Sequence, residues 1–288
     1  MHIKERILEI TNILFNRLFK YKINVLSIKD TLTTLSISKK NIVRFGDGEF
    51  NLIRGKGISY QDYEQQLSDR LSQILFHNKK KDLIVGLPDV FNSLDDYTLP
   101  TKRFWLNNLR KNHSIYSKID ISCLYGNAFI SRPYMELKDK SKSADYFKAI
   151  RKLWDNKNLL VVEGKYTRSG IGNNLYDNAK SVKRIICPPK NAFSYLKEIE
   201  SAILNVKEDS TILLMIGPTA KLVGDDLCYL SNQIIDLGHI DTEYEWYRKG
   251  YKKKTKLNNK HTAEFNNDDN IEPIYNQTYS SQIIKKII

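Results

Sequence analysis

The sequence predicts an α/β fold built on a mostly parallel β-sheet with helices on both faces. Three observations carry that expectation. Short β-branched and aliphatic runs alternate with stretches of helical period along the 288 residues. The run Asn158-Leu159-Leu160-Val161-Val162-Glu163-Gly164 is almost continuously apolar, as a strand is when both sheet faces are covered. With 41% hydrophobic and 11% aromatic residues, the chain can bury a large core.

The elements follow in order. Residues 3 to 19 place Ile3, Ile7, Ile10, Leu14 and Leu18 at helical spacing, with Lys4, Arg6 and Arg17 among the polar positions. This predicts an amphipathic helix over 1–24 packed on the domain, with peripheral association at a membrane surface as the alternative. Ile42-Val43-Arg44-Phe45 is a buried strand that breaks into the turn Gly46-Asp47-Gly48-Glu49. Tyr63, Leu67, Leu71, Ile74 and Leu75 mark a helix, and 82–87 a strand stopped by Pro88. A strand over 119–124, a helix over 144–154 and the strand 158–164 come next. Then follow a strand over 184–187 halted by Pro188-Pro189, a helix over 192–204 and a strand over 211–216. A helix over 219–230 and a short strand over 233–237 complete the 25–248 domain. Residues 249–288 form a basic extension of the same domain.

Composition restricts function. No apolar stretch reaches the roughly 20 residues that span a bilayer, and the N-terminus lacks a signal-peptide core, so the expectation is a cytoplasmic protein. The three cysteines are widely separated and read as reduced core residues. Lys and Arg exceed Asp and Glu to give a net charge of +13, which favours anionic partners.

Ligands of parallel sheets bind beyond the carboxyl ends of the strands, and three such loops carry chemistry. In the first, Gly46 and Gly48 let a bulky anion such as a diphosphate approach the backbone, while Asp47 and Glu49 offer oxygen ligands to a hard cation. The second, Gly164-Lys165-Tyr166-Thr167-Arg168-Ser169-Gly170-Ile171-Gly172-Asn173-Asn174, precedes a predicted helix from Leu175; with Lys165 and Arg168 it suits phosphate. The third, Gly217-Pro218-Thr219, leaves room for a ligand at a helix start. Downstream, His239, Asp241, Glu243 and Glu245 lie on one face of 238–246, back to back with aromatic residues if the segment is extended, or pair at four-residue spacing if it is helical. Such clustered ionisable groups suit a base or a metal ligand. The Lys-rich stretch 249–260 reads as a solvated arm, alternatively as an electrostatic lid over an anionic ligand.

Taken together, Arg44-Phe45-Gly46-Asp47-Gly48-Glu49, Val162-Glu163-Gly164, Arg168-Ser169-Gly170-Ile171-Gly172-Asn173, Ile186-Cys187-Pro188, Gly217-Pro218-Thr219-Ala220 and Gly238-His239-Ile240-Asp241 through Glu245-Trp246 resemble the GT-D type glycosyltransferases. The resemblance implies a Rossmann-like domain that binds a UDP-sugar with Mn²⁺ (or Mg²⁺) at an Asp-x-Glu motif, here Asp47-Gly48-Glu49. It also places His239 and Glu245 at positions expected to face the active site. The expected activity is transfer of a hexose, glucose foremost, from a UDP-sugar to a sugar hydroxyl on a glycoprotein or surface polysaccharide. Glu245 is the favoured base, with Asp241 and Glu243 as rivals. Arg44, Gly46, Lys165, Arg168, Gly170, Gly172, Asn173, Gly217, Pro218 and Thr219 would position the nucleotide. The competing readings are a metal-dependent phosphoesterase or nuclease, and a non-enzymatic polyanion binder. The acidic cluster argues against nucleic acid as a partner.

Overall fold

The computed structural model describes residues 3–206, 209–262, 265 and 268–287. Its centre is a nine-stranded sheet in which every neighbouring pair is parallel. The strands are β1 (Asn24–Val25), β2 (Asn41–Arg44), β3 (Leu83–Leu87), β4 (Leu124–Asn127), β5 (Asn158–Gly164), β6 (Ser181–Cys187), β7 (Ser210–Met215), β8 (Ile234–Asp236) and β9 (Ile283–Lys286). They lie in the order β1-β4-β3-β2-β8-β7-β5-β6-β9. The apolar run predicted at 158–164 is β5, between β6 and β7, with Leu159 through Val162 buried. Both faces of a central strand must be covered, which is why no polar alternation appears there.

β2 and β8 are neighbours, with Ile42 paired to Ile235 across more than half of the chain, and the chain leaves β2 for β3 on one side and β8 for β9 at the opposite edge. This is the topological switch point, and the cleft of such sheets opens above it. Helix α1 (Ile3–Leu18) packs on α5 (Leu99–Lys111). α2 (Ile28–Ser38) packs with α7 (Ser143–Lys152), and α9 (Thr219–Leu227) joins α4 (Gln65–His77) and α8 (Leu196–Asn205). The remaining helices are α3 (Asp47–Ile53), α6 (His113–Tyr116), α10 (Ile240–Arg248) and α11 (Gln277–Gln282).

Several expectations need correction. The strand placed over 119–124 starts only at Leu124, because the Asp120 carboxylate accepts from the Ser122 amide and hydroxyl and holds a turn there. The strand runs on through Tyr125, Gly126 and Asn127, and a Cβ on Gly126 would come within 2.9 Å of Ile84 Cγ2. The residues read as a Gly-Asp-Gly turn begin a helix, α3, in which the Glu49 carboxylate accepts from the Gly46 amide, the one half of a capping box that a glycine N-cap can make. No helix follows Leu175; residues 175–178 are a turn whose Leu175 carbonyl accepts from the buried Trp154 indole. α2 and α5 went unread, although the Ser27 hydroxyl accepts from the Asp30 amide as an N-cap and Pro100 sits in the first turn of α5. Cys123 is exposed rather than in the core. α1 meets α5 through its polar side, Asn12 and Asn16, and leaves Ile7, Ile10, Leu14 and Leu18 exposed, the reverse of the packing its pattern suggested; the side chains of Ile3 and Lys4 lie outside the described residues. The C-terminal segment is built into the fold, since β9 pairs with β6.

Candidate active site

A cavity of about 860 Å³ opens at the carboxyl ends of the strands, above the switch point. Its floor comes from the sequence around the first loop: Arg44 ends β2, and Gly46, Asp47, Gly48 and Glu49 line the wall as the chain enters α3. Asp47 stands in the first turn of that helix, where the helix dipole favours a negative charge.

Beneath these residues lies a buried charge cluster. Lys221, in the first turns of α9, places Nζ 2.8 Å from Glu49 Oε1 and 3.1 Å from Asp236 Oδ2. Asp236, the last residue of β8, also accepts from Arg44 Nη2 at 3.0 Å and from the Arg44 amide at 3.0 Å. Burial pushes the Asp236 carboxyl up, but the Arg44 guanidinium and the Lys221 ammonium outweigh it and hold the group below the usual carboxylate range. The other Arg44 nitrogens bond to the Asp236 and Ala128 carbonyls and to Ser131 Oγ. Arg44 therefore reaches the cavity as a pin between β2, β8 and the chain after β4, with its guanidinium committed to protein acceptors. Gly238 is needed at this point. Its φ is +45°, and a Cβ would stand 2.3 Å from Arg44 Nη2.

An aromatic and imidazole wall faces the carboxylates. Tyr60, His239 and His261 line the cavity together; the two imidazoles stack with centroids 5.4 Å apart, and Tyr60 meets each edge-on. Burial, then the negative Glu49, Asp47 and Asp236, raise the Tyr60 phenol, so it stays protonated. Burial, then His261, Arg132, Arg44 and Lys221, drive His239 well below its ordinary value, so it is a neutral imidazole. His261 Nδ1 is 2.5 Å from Asp268 Oδ1. Cations complete the wall: Arg132, Lys138, Lys140 and Lys252 through Lys254 all line the cavity. The Lys-rich stretch is thus not a solvated arm. Lys254 pairs with Glu136 at 3.0 Å, and the Trp246 indole donates to the Thr255 carbonyl. Phe45, Trp105, Phe129 and Met215 supply apolar surface.

The structure separates the other sequence candidates from this cavity. Segment 240–248 is helical, and Asp241, Glu243 and Glu245 turn away from the cavity. Asp241 accepts from the Gly170 amide at 2.7 Å and Asn173 at 2.8 Å, and pairs with Lys260 at 2.7 Å. Glu245 accepts from Asn173 at 2.7 Å and pairs with Lys249 and Lys260. Burial pushes Glu245 up, but Asn173, Lys260 and Lys249 outweigh it and leave the carboxyl below its ordinary value, unsuited to accept a proton. Glu243 accepts from the Met135 amide at 3.0 Å behind the wall. Of the four catalytic candidates, His239 alone faces the cavity.

The second loop is likewise divided. Gly164, Tyr166 and Thr167 line the cavity, whereas Lys165, Gly170, Gly172 and Asn173 do not, and Arg168 clasps the C-terminal segment through the Asn259 and Glu272 carbonyls. Gly217 and Pro218 line it; Thr219 lies behind, buried, and its Oγ1 has no hydrogen-bond partner among the described residues. Sequence reasoning missed Tyr60, Arg132, Lys221, Asp236, His261 and Asp268. Only Asp236 had a usable signal, as an acid ending a buried apolar strand; His261 and Asp268 meet only through folding.

The metal expected at Asp47 and Glu49 can be judged against their surroundings. Among the described residues no group of three or more His, Cys, Asp and Glu side chains is arranged around a metal position. Glu49 already accepts from the Gly46 amide and Lys221, while Asp47 lines the cavity. A site closed by several protein ligands does not match. A hard ion held by one or two carboxylates, with substrate phosphate and water as the remaining ligands, does fit.

Comparison with known proteins agrees with this arrangement. The family model described as the glycosyltransferase GT-D fold matches residues 42–265. The chain is 45% identical over 266 residues to probable glycosyl transferase Gly of Streptococcus gordonii, covering 92% of this chain and 39% of that protein. It is 42% identical over 266 residues to glycosyltransferase GlyD of Streptococcus pneumoniae serotype 4 (strain ATCC BAA-334 / TIGR4), covering 92% of this chain and 33% of that one. The chain thus spans well under half the length of these curated relatives. A solved structure of domain of unknown function 1792, described as having a distinct glycosyltransferase fold, superposes with a TM-score of 0.91 at 45% identity, covering 96% of this chain and 99% of its own. A structure described as a new glycosyltransferase (DUF1792) from Streptococcus sanguinis gives 0.89 at 45% identity, over 92% and 100%. No helix among the described residues is long and apolar enough to cross a membrane. With its parallel sheet, its cleft at the β2–β8 switch point and these likenesses, the chain belongs to the glycosyltransferases of the GT-D fold.

Proposed function

We propose that this protein transfers a hexose, glucose foremost, from a UDP-sugar to a sugar hydroxyl on a glycoprotein or surface polysaccharide, with the help of a divalent cation. One observation carries the reading: a single cavity joins Asp47 to a wall of lysines and Arg132 and to two stacked imidazoles. The lysines and Arg132 suit the diphosphate, and the apolar and aromatic surface suits the base and sugar faces. Asp47, with Glu49, would hold Mn²⁺ or Mg²⁺, which would supply Lewis-acid neutralisation of the leaving diphosphate. The protein's own groups orient the donor. Lys221 and Arg44 fix the carboxylate floor, and Tyr60, neutral, presents a hydroxyl beside it.

For the acceptor, His261 takes the place first given to Glu245. It faces the cavity, and the Asp268 carboxylate beside Nδ1 orients its ring for proton transfer from the acceptor hydroxyl. The decisive test screens nucleotide sugars for Mn²⁺-dependent transfer or hydrolysis and repeats the positive case with Asp47→Ala. Loss of both cation-dependent UDP binding and turnover is expected. Turnover at the unmodified rate refutes the assignment, and release of inorganic phosphate or cleaved nucleic acid would favour a phosphoesterase or nuclease.

A further inference from the structure

We propose that α1 is a docking helix that lays its apolar face on an anionic membrane surface. In most surface helices the apolar stripe faces the core and the polar side faces water. In α1 this is inverted. Arg110 Nε donates to Asn12 Oδ1 at 2.6 Å, Asn16 Nδ2 donates to the Leu106 carbonyl at 3.0 Å, and Arg103 pairs with Glu9 at 3.0 Å. Asn12 is buried, whereas Ile7, Ile10, Leu14 and Leu18 are 58, 57, 52 and 79% exposed. These four residues recur along one side of the helix, so they form one stripe rather than scattered apolar sites.

Charge selects the occupant. Arg6 and Arg17 lie on the helix and Lys20 and Lys22 follow directly, all of them exposed, in a protein of net charge +13. A second copy of this chain packed on the same stripe would bring these cations against their own images. Lipid phosphate and carboxylate groups neutralise them while acyl chains receive the stripe, and the two contributions add. The position also matters. Phe104 of α5 lines both the shallow hollow beside α1 and the main cavity, so α1 sits beside the element that forms part of the cavity wall. The proposal stands independently of the donor and the cation.

The experiment is co-sedimentation of the full chain with extruded vesicles of phosphatidylserine in phosphatidylcholine and of phosphatidylcholine alone, at low and high salt. Light scattering of the same samples without lipid gives the oligomeric state. Partition onto the phosphatidylserine vesicles is expected, weakened by salt and by loss of the anionic lipid. Ile10→Glu/Leu14→Glu should lower it by roughly tenfold or more, and Arg17→Glu/Lys20→Glu should remove its preference for anionic lipid. Because these side chains are exposed, the melting temperature should hold in both variants. Absence of binding to phosphatidylserine vesicles overturns the proposal, as does equal binding by Ile10→Glu/Leu14→Glu. A dimer that this variant dissociates would assign the stripe to a second copy instead, and overturn it as well.

Discussion

Replacing Lys221 by methionine tests the charge cluster under the cavity. Four charges balance there, three of them buried and Arg44 partly so: Arg44 and Lys221 against Glu49 and Asp236. Lys221 is 4% exposed and touches both acids. Methionine keeps most of the volume but takes from Glu49 the ammonium it pairs with and leaves Asp236 to Arg44. Removing one partner of a buried pair costs about 3–5 kcal/mol, because the other charge stays buried without compensation. For a chain of this size each kcal/mol lowers the melting temperature by roughly 2–4 °C, so a fall of about 6–20 °C is expected. Calorimetry or thermal circular dichroism reads it. The second variant separates charge from packing. Lys221→Met/Glu49→Gln removes the orphaned charge, while the Gln carbonyl can still accept from the Gly46 amide, so it should be more stable than Lys221→Met alone. A single variant within about 0.5 kcal/mol of the parent, a shift typical of surface substitutions, or a double variant no better than the single, would refute the reasoning.

Three further substitutions follow from the geometry of the site and its supports. Burial raises the Glu243 carboxyl to about 7, so the folded state holds a proton that the unfolded state has lost between roughly pH 4.5 and pH 7; stability must fall as pH rises through that window and level off above it. Glu243→Gln removes that fall, and its melting temperature should gain on the parent's through the window, by about 3 kcal/mol in stability at its upper end; parallel curves would show that the group titrates normally. His261→Gln should lower kcat by roughly 10²–10⁴-fold with UDP binding retained, whereas Glu245→Gln, on a side chain facing away from the cavity, should keep transfer. The opposite ranking in a transfer assay would return the base to Glu245.

The legible parts of the sequence were those whose signal is local. β5 was readable because burial on both faces leaves an unbroken apolar run, and β3 because Pro88 ends it. Gly46 to Glu49 was readable as a place for carboxylates because the residue types stand side by side. The clustering of His239, Asp241, Glu243 and Glu245 in sequence gave a misleading signal. On α10 they point in different directions, and three of them hold the 170–173 loop, Lys260 and the Met135 amide in place. α1 misled for the same reason, since periodicity reports an apolar stripe but not which side meets the protein.

The sequence by itself determined the alternation of strands and helices, and hence the parallel sheet, because backbone hydrogen bonding and side-chain period act over a few residues. It also determined that the chemistry would lie in loops after strands. Only the tertiary structure decided which charges meet. Arg44 and Asp236 are separated by most of the chain, and β2 and β8 bring them together because they are neighbours at the switch point. Lys221 reaches Glu49, and His261 comes to stack on His239, by the same means. A buried charge is tolerated only beside its partner, so the packing of distant segments, rather than their order along the chain, selects the residues that face the ligand.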